Sequence, residues 1–94
     1  NIENLMNSAP YFVYILFSKK DKKFYTGSTN NLQERVKRHN KGLEIATKGR
    51  RPLKLIYFEG CLNIKDAMRR EIYLKTAWGK RYIKNRLRET LKAI

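Results

Sequence analysis

One carboxylate stands where local rules argue against it. Ile64, Ala67, Glu71, Leu74 and Trp78 recur at spacings of 3, 4, 3 and 4, so they share one face of a helix. Glu71 lies in the middle of that apolar stripe. An unpaired carboxylate there is costly or takes up a proton. It therefore needs a partner: a cation, a hydrogen-bonded network or a metal ion. The plainer alternative is a rim glutamate paired with Arg70 or Lys75. An earlier helical face carries Leu32, Val36 and His39, with Arg35 beside it. Arg35 and His39 are four apart and stack on adjacent turns. A guanidinium binds phosphate bidentately and keeps its charge at any working pH, and an imidazole accepts or donates a proton. Tyr14 and Tyr25 place phenols on a hairpin, able to orient a water or bind a phosphate oxygen. Taken singly, the tyrosines read as packing and the Arg–His pair as surface decoration.

The elements that must position these groups follow from pattern. Residues 11–18 are aromatic and β-branched on both alternating faces, which predicts a central strand. The polar run 19–23, with Asp21 at its centre, suits a hairpin turn, and Phe24–Thr26 predicts a short second strand ending at Gly27. Asn30 and Asn31 then cap a helix, Asn31 with Glu34 forming a capping-box-like start, and Gly42 supplies its stop. A basic loop over 43–52 precedes a third strand from Leu53 to Phe58, ended by Gly60. Asn63 opens a second helix with Asp66 in its first turn. That helix is predicted to run to about Trp78 and break at Gly79, with a last helix from Lys80 to about Lys92. The order ββαβαα predicts an α+β domain: a small, mostly antiparallel three-stranded sheet flanked by helices.

Composition narrows the class of function. Ninety-four residues allow one domain, read as a loosely ordered leader over 1–10 and a single folded unit over 11–94. With 41% apolar residues, 6 Tyr, 4 Phe and 1 Trp, the chain is too hydrophobic for a disordered basic tail. The single cysteine, Cys61, excludes an internal disulfide, and no Cys/His cluster has zinc spacing. The longest apolar run, residues 11–17, is far too short to cross a bilayer. These features fit a cytoplasmic domain with no membrane role. The 22 Lys and Arg against 8 acids give a charge of +14, a field that steers polyanions toward the molecule. Nucleic acid is the leading partner.

Order and spacing together resemble the GIY-YIG nuclease domain. Its half-motifs are matched by Val13-Tyr14-Ile15 and Tyr25-Thr26-Gly27, with the two tyrosines eleven residues apart. Arg35 follows ten residues after Tyr25, His39 comes one turn later, Glu71 falls in a later helix, and Asn85 lies fourteen residues beyond it. The resemblance covers roughly residues 11–90 and is to small standalone bacterial members. Val13 replaces a glycine and Thr26 an isoleucine. Some relatives carry a lysine directly after the second tripeptide, where this chain has Ser28. Others use a basic residue in the next loop, for which Lys48 is the loose candidate.

The resemblance implies a metal-dependent DNA endonuclease that hydrolyses phosphodiesters with one Mg²⁺ or Mn²⁺ bound by Glu71, and leaves DNA repair, recombination and mobile-element roles open. Composition agrees, because the eight acids are scattered and a two-metal site needs several clustered carboxylates. One carboxylate completed by waters and phosphate oxygens suits Mg²⁺. In this reading Arg35 neutralises phosphoryl charge. Tyr14 or Tyr25 positions or deprotonates the attacking water, with Arg35 lowering the phenol pKa. His39 relays or orients, and Asn85 braces the site through hydrogen bonds. Lys48, Arg50, Arg51, Lys80, Arg81, Lys84, Arg86 and Arg88 are the candidates to grip flanking phosphates. Branched or nicked DNA is a candidate substrate, and a partner protein would have to supply sequence specificity. The competing expectation is a basic module that binds DNA or RNA without cutting it.

Overall fold

Strand β1, Tyr11–Ser18, lies between two neighbouring strands and is apolar on both faces because each face is covered by a packed core. Strand β2, Phe24–Thr29, and strand β3, Leu53–Cys61, flank it in the order β2-β1-β3, both antiparallel to it. The computed structural model describes residues 10–94, and the leader expected over 1–10 falls almost wholly outside them. The hairpin turn forms as expected: Asp21 Oδ1 accepts from the Lys23 amide at 2.9 Å, and Lys22 takes φ 62°.

Alternation along β1 sends side chains to opposite faces, and each face is covered. Helix α1, Leu32–Asn40, lies over the face that carries Tyr14 and Leu16, where Leu53, Leu32 and Val36 complete a small core. Its start is capped as the sequence predicts, Asn31 Oδ1 accepting from the Glu34 amide, and Gly42 takes the left-handed φ of 77° beyond its end. A single 3-10 turn, Lys48–Arg50, interrupts the basic loop that follows. The other face, with Val13 and Ile15, is covered by helix α2, Ile64–Lys75, and helix α3, Ala77–Arg86, through Ala67, Leu74 and Ile83. A short helix α4, Arg88–Lys92, closes the order ββαβααα. The α+β class and the three-stranded antiparallel sheet agree with the sequence reading.

Four boundaries differ. The second strand, expected to end at Gly27, continues to Thr29, because Ser28 and Thr29 still pair with Val13 and Phe12. The third strand continues past Phe58 to Cys61, because Gly60 and Cys61 still pair with Phe12 and Tyr11. The break after α2 falls at Thr76, whose extended backbone starts a new helix and whose Oγ1 accepts from the Gly79 amide at 3.1 Å. Gly79 therefore lies inside α3, at its crossing with α2. A Cβ there would collide with the Tyr73 carbonyl and the Leu74 backbone. Trp78 consequently leaves the apolar stripe and stands 69% exposed on α3. The expected last helix is two helices, α3 and α4.

Candidate active site

Tyr14 is the organising group. It is fully buried and stands opposite Gly27 of β2 in the sheet register. A Cβ on Gly27 would lie 2.5 Å from the Tyr14 hydroxyl, so the close approach of phenol to strand requires glycine there. The hydroxyl lies 2.8 Å from His39 Nε2, and His39 Nδ1 lies 2.6 Å from Thr47 Oγ1. His39 and Thr47 are also buried. Tyr25 projects from β2 onto the same side, its ring centroid 5.1 Å from His39 and 6.5 Å from Tyr14. It is only half-buried, which makes it the phenol nearer to solvent.

Electrostatics separate these groups. Burial raises the Tyr14 phenol, the neighbouring Tyr25 adds to the rise, and the Arg35 guanidinium opposes it; the outcome is about 12. Of the two phenols that Arg35 was expected to acidify, Tyr14 is not made acidic, because desolvation outweighs the nearby charge. Burial likewise depresses His39 below its usual value, with Arg35 and Arg38 acting the same way against Glu44. At neutral pH the chain Tyr14–His39–Thr47 is uncharged and internally bonded. It resembles a brace more than a proton relay open to solvent.

Arg35 is held from the other side. Glu44 takes a 2.8 Å contact from Arg38 Nε and lies 3.7 Å from Arg35 Nε. The guanidinium of Arg35 is thus near enough to oppose the rise of the Tyr14 phenol while staying partly exposed.

Glu71 joins the same region through β2. Ser28 Oγ donates to Glu71 Oε1 at 2.6 Å, and Lys75 Nζ lies 2.9 Å from Oε2. Partial burial alone would raise this carboxyl, but the Ser28 hydrogen bond and the Lys75 ammonium outweigh it and hold it below the usual range. The carboxylate is therefore ionised at neutral pH and its side chain is 21% exposed. The rim pairing with Lys75 considered from sequence is present, whereas Arg70 pairs with Glu59 at 2.6 Å instead. Because side chains alternate along β2, Tyr25 and Gly27 face α1 while Ser28 faces α2. The carboxylate and the phenols thus meet at the edge strand, from its two sides.

The remaining expectations sort clearly. Asn85 is exposed and accepts from Arg88 Nη2 at 2.6 Å. No hydrogen bond among the described residues ties it to Tyr14, Arg35 or Glu71, so the expected bracing role lacks its contacts. Arg50 is fixed to Asp21 at 2.6 Å and to the Phe24 carbonyl at 3.2 Å, and that contact holds Asp21 down to about 2. Arg50 nevertheless lines a basic pocket of about 400 Å³ with Lys22, Lys23, Lys80 and Lys84. Arg51 donates to the Lys48 carbonyl, and Arg81 lies over the Trp78 ring at 4.9 Å. Lys48 and Arg86 are exposed. Thr47, Glu44 and the Ser28–Glu71 bond escaped the sequence reading. Each belongs to a loop or strand position with no periodic signal, and only folding brings it to its partner.

The capacity for metal can be tested on the donor set. Among the described residues no three His, Cys, Asp or Glu side chains gather as ligands. Glu71 is an ionised, part-exposed carboxylate whose ammonium partner is more than half exposed on a flexible stem. One such carboxylate fits a largely hydrated Mg²⁺ or Mn²⁺ that takes its other ligands from water and phosphate.

A hairpin whose two tyrosines face an Arg–His helix, with a glutamate brought to the same edge strand, is the architecture of one nuclease class. Residues 10–88 match the family described as the GIY-YIG catalytic domain, and the chain belongs to that family. Its relatives include a UPF0213 protein of Clostridium perfringens, 51% identical over 65 residues that cover 68% of this chain and 69% of the relative. The UPF0213 protein YazA of Bacillus subtilis is 41% identical over 71 residues, 74% of this chain and 71% of its own length. The solution NMR structure of a UPF0213 protein from Bacillus halodurans superposes with a TM-score of 0.52 at 32% identity, covering 80% of this chain and 82% of that one. No helix among the described residues is long and apolar enough to cross a membrane.

Proposed function

We propose that the protein is a DNA endonuclease that hydrolyses phosphodiester bonds at the β2 edge, with one divalent metal held by Glu71. The observation that carries this is the Ser28–Glu71 bond: it fixes an ionised carboxylate at the residue next to Gly27, which itself packs on Tyr14. When bound there, Mg²⁺ or Mn²⁺ supplies positive charge to the phosphate and its leaving oxygen.

The chain's own residues then have distinct tasks. Arg35 neutralises charge building on the phosphoryl oxygens, its guanidinium aimed by Glu44. Tyr25, the more accessible phenol, orients the attacking water by hydrogen bonding. Tyr14, His39 and Thr47 hold Tyr25 and Arg35 in place from beneath as positioning residues. Ser28 keeps Glu71 turned to the edge. Lys22, Lys23, Lys80 and Lys84 grip a flanking phosphate in the basic pocket, which borders Phe24. From Phe24 to Ser28 the strand advances about 13 Å, at roughly 3.3 Å per residue.

The test compares wild type with Glu71→Gln on nicked, branched and plain duplex DNA across Mg²⁺ and Mn²⁺ titrations. Wild type is expected to cleave, and the variant to lose cleavage while binding DNA as tightly or more tightly, since one negative charge is gone. Wild-type protein that binds all three DNAs but cuts none would instead support the non-catalytic binding module.

A further inference from the structure

Trp78 has no role in the site or the core, although it is a large aromatic on a folded helix. It stands with Tyr73 and Tyr82, which are 41% and 39% exposed, along a groove of about 510 Å³ that Arg81 and Asn85 complete. We infer that this flank of α2 and α3 is a second nucleic-acid site, in which exposed rings stack on unpaired DNA bases.

The rings are set in advance. Arg70 is anchored by Glu59 at 2.6 Å, and its guanidinium carbon lies 5.5 Å from the Tyr73 centroid and 5.0 Å from that of Tyr82. It holds both rings from within while leaving them open to solvent. Arg81 lies over the Trp78 ring at 4.9 Å. Arginine beside an exposed ring is the combination that binds single strands, the ring taking the base and the cation the phosphate.

Charge decides the occupant. Helix α3 carries Lys80, Arg81, Lys84 and Arg86 and no acidic residue. Of these cations only Arg81 lines the groove, Lys80 and Lys84 lining the basic pocket instead, and with no acidic residue among the groove's lining the local potential favours an anionic ligand. In a duplex the base faces are already stacked, so rings laid open to solvent favour unpaired bases. The groove volume lies within the ~300–1,000 Å³ typical of small-ligand clefts.

The site is separate from Glu71. Tyr73 follows Glu71 by two residues, about 200° around the helix at 3.6 residues per turn, so the groove opens on the flank of α2 away from Ser28. The inference takes DNA as the ligand from the proposed function but does not depend on its cleavage.

Trp78 is the single tryptophan of the chain, so its fluorescence reports on this groove alone. The whole chain is titrated in EDTA, which keeps hydrolysis out of the readout, with oligo(dT), an abasic deoxyribose-phosphate oligomer of equal length, oligo(U), and a duplex of equal charge. Oligo(dT) is expected to quench the emission and the abasic oligomer to leave it nearly unchanged. Trp78→Ala, read by anisotropy of labelled oligo(dT), is expected to weaken binding about 5- to 150-fold, the range that corresponds to loss of one base–aromatic stack, while binding of the abasic oligomer stays the same. Arg81→Ala gives a second variant, and melting curves confirm that both fold. Equal quenching by the abasic oligomer, unchanged oligo(dT) affinity in Trp78→Ala, preference for the duplex, or quenching by oligo(U) alone would each overturn the inference. Quenching by oligo(dT) in a protein that fails to cut DNA would leave it standing and remove only the nuclease reading.

Discussion

Replacing Tyr14 by Phe distinguishes a brace from a reacting group. The substitution keeps the ring that packs under Gly27 and removes one oxygen, 2.8 Å from His39 Nε2. Both residues are buried, His39 at 1% exposure, so no water replaces the lost partner and one imidazole nitrogen is left unsatisfied. That costs about 1–3 kcal/mol. In a domain of this size each kcal/mol lowers Tm by roughly 4–8 °C, so a drop between about 4 and 24 °C is expected by calorimetry. With a phenol pKa of about 12, the wild-type group is a neutral hydroxyl at every working pH, and the loss is that of a hydrogen bond, not of a charge. Tyr25→Phe, at a half-buried position, should leave Tm nearly unchanged and reduce cleavage by ~10²–10⁴-fold if its hydroxyl orients the water. A double-mutant cycle of Tyr14→Phe with His39→Leu should show coupling of about 0.5–3 kcal/mol. An unchanged Tm in Tyr14→Phe, or single effects that simply add, would refute the brace and return Tyr14 to the reaction itself.

Three further outcomes follow from the geometry. Gly79→Ala drives a methyl group into the Tyr73 carbonyl and should destabilise by about 1–3 kcal/mol or more, read as a lowered urea midpoint with unchanged slope. Ser28→Ala frees Glu71 Oε1 from its 2.6 Å bond, and cleavage should fall ~10–100-fold with Tm little affected; an unchanged rate would show that the carboxylate needs no orienting partner. Because His39 is depressed by burial, the unfolded chain binds its proton first as pH falls. The stability that His39 contributes should therefore be fully present above about pH 7.5, decline as pH drops below the unfolded value of about 6.5, and level off once the folded imidazole is protonated. A His39→Gln variant should lack that decline.

Much of the fold is written in local pattern. The two-faced apolar run of β1, the Asp21 turn, the Asn31 and Asn63 caps and the Gly42 stop are each decided by residues a few positions apart, so the chain alone displays them. The same holds for the motif tyrosines, Arg35, His39 and Glu71, whose spacing already resembles the family to which the chain belongs. Where two local signals compete, the reading slips. Thr76 and Gly79 both punctuate a helix, and only the crossing of α2 over α3, which leaves no space for a Cβ, places the break at Thr76 and the glycine inside α3.

What tertiary structure alone decides are the contacts between distant positions. Ser28 meets Glu71 across 43 residues, and Tyr14 meets His39 across 25. No periodicity connects a strand residue to a helix packed against it, because the pairing depends on sheet register and on which face each helix covers. Burial is collective in the same way. The residue type of Tyr14 announces a phenol, but the layers closed over it keep that phenol protonated. Trp78, apolar by composition, is left in solvent because the helix that carries it turns away at Thr76. Local chemistry thus selected the groups, and the packing of layers determined which of them face one another, which are charged, and which remain open to a ligand.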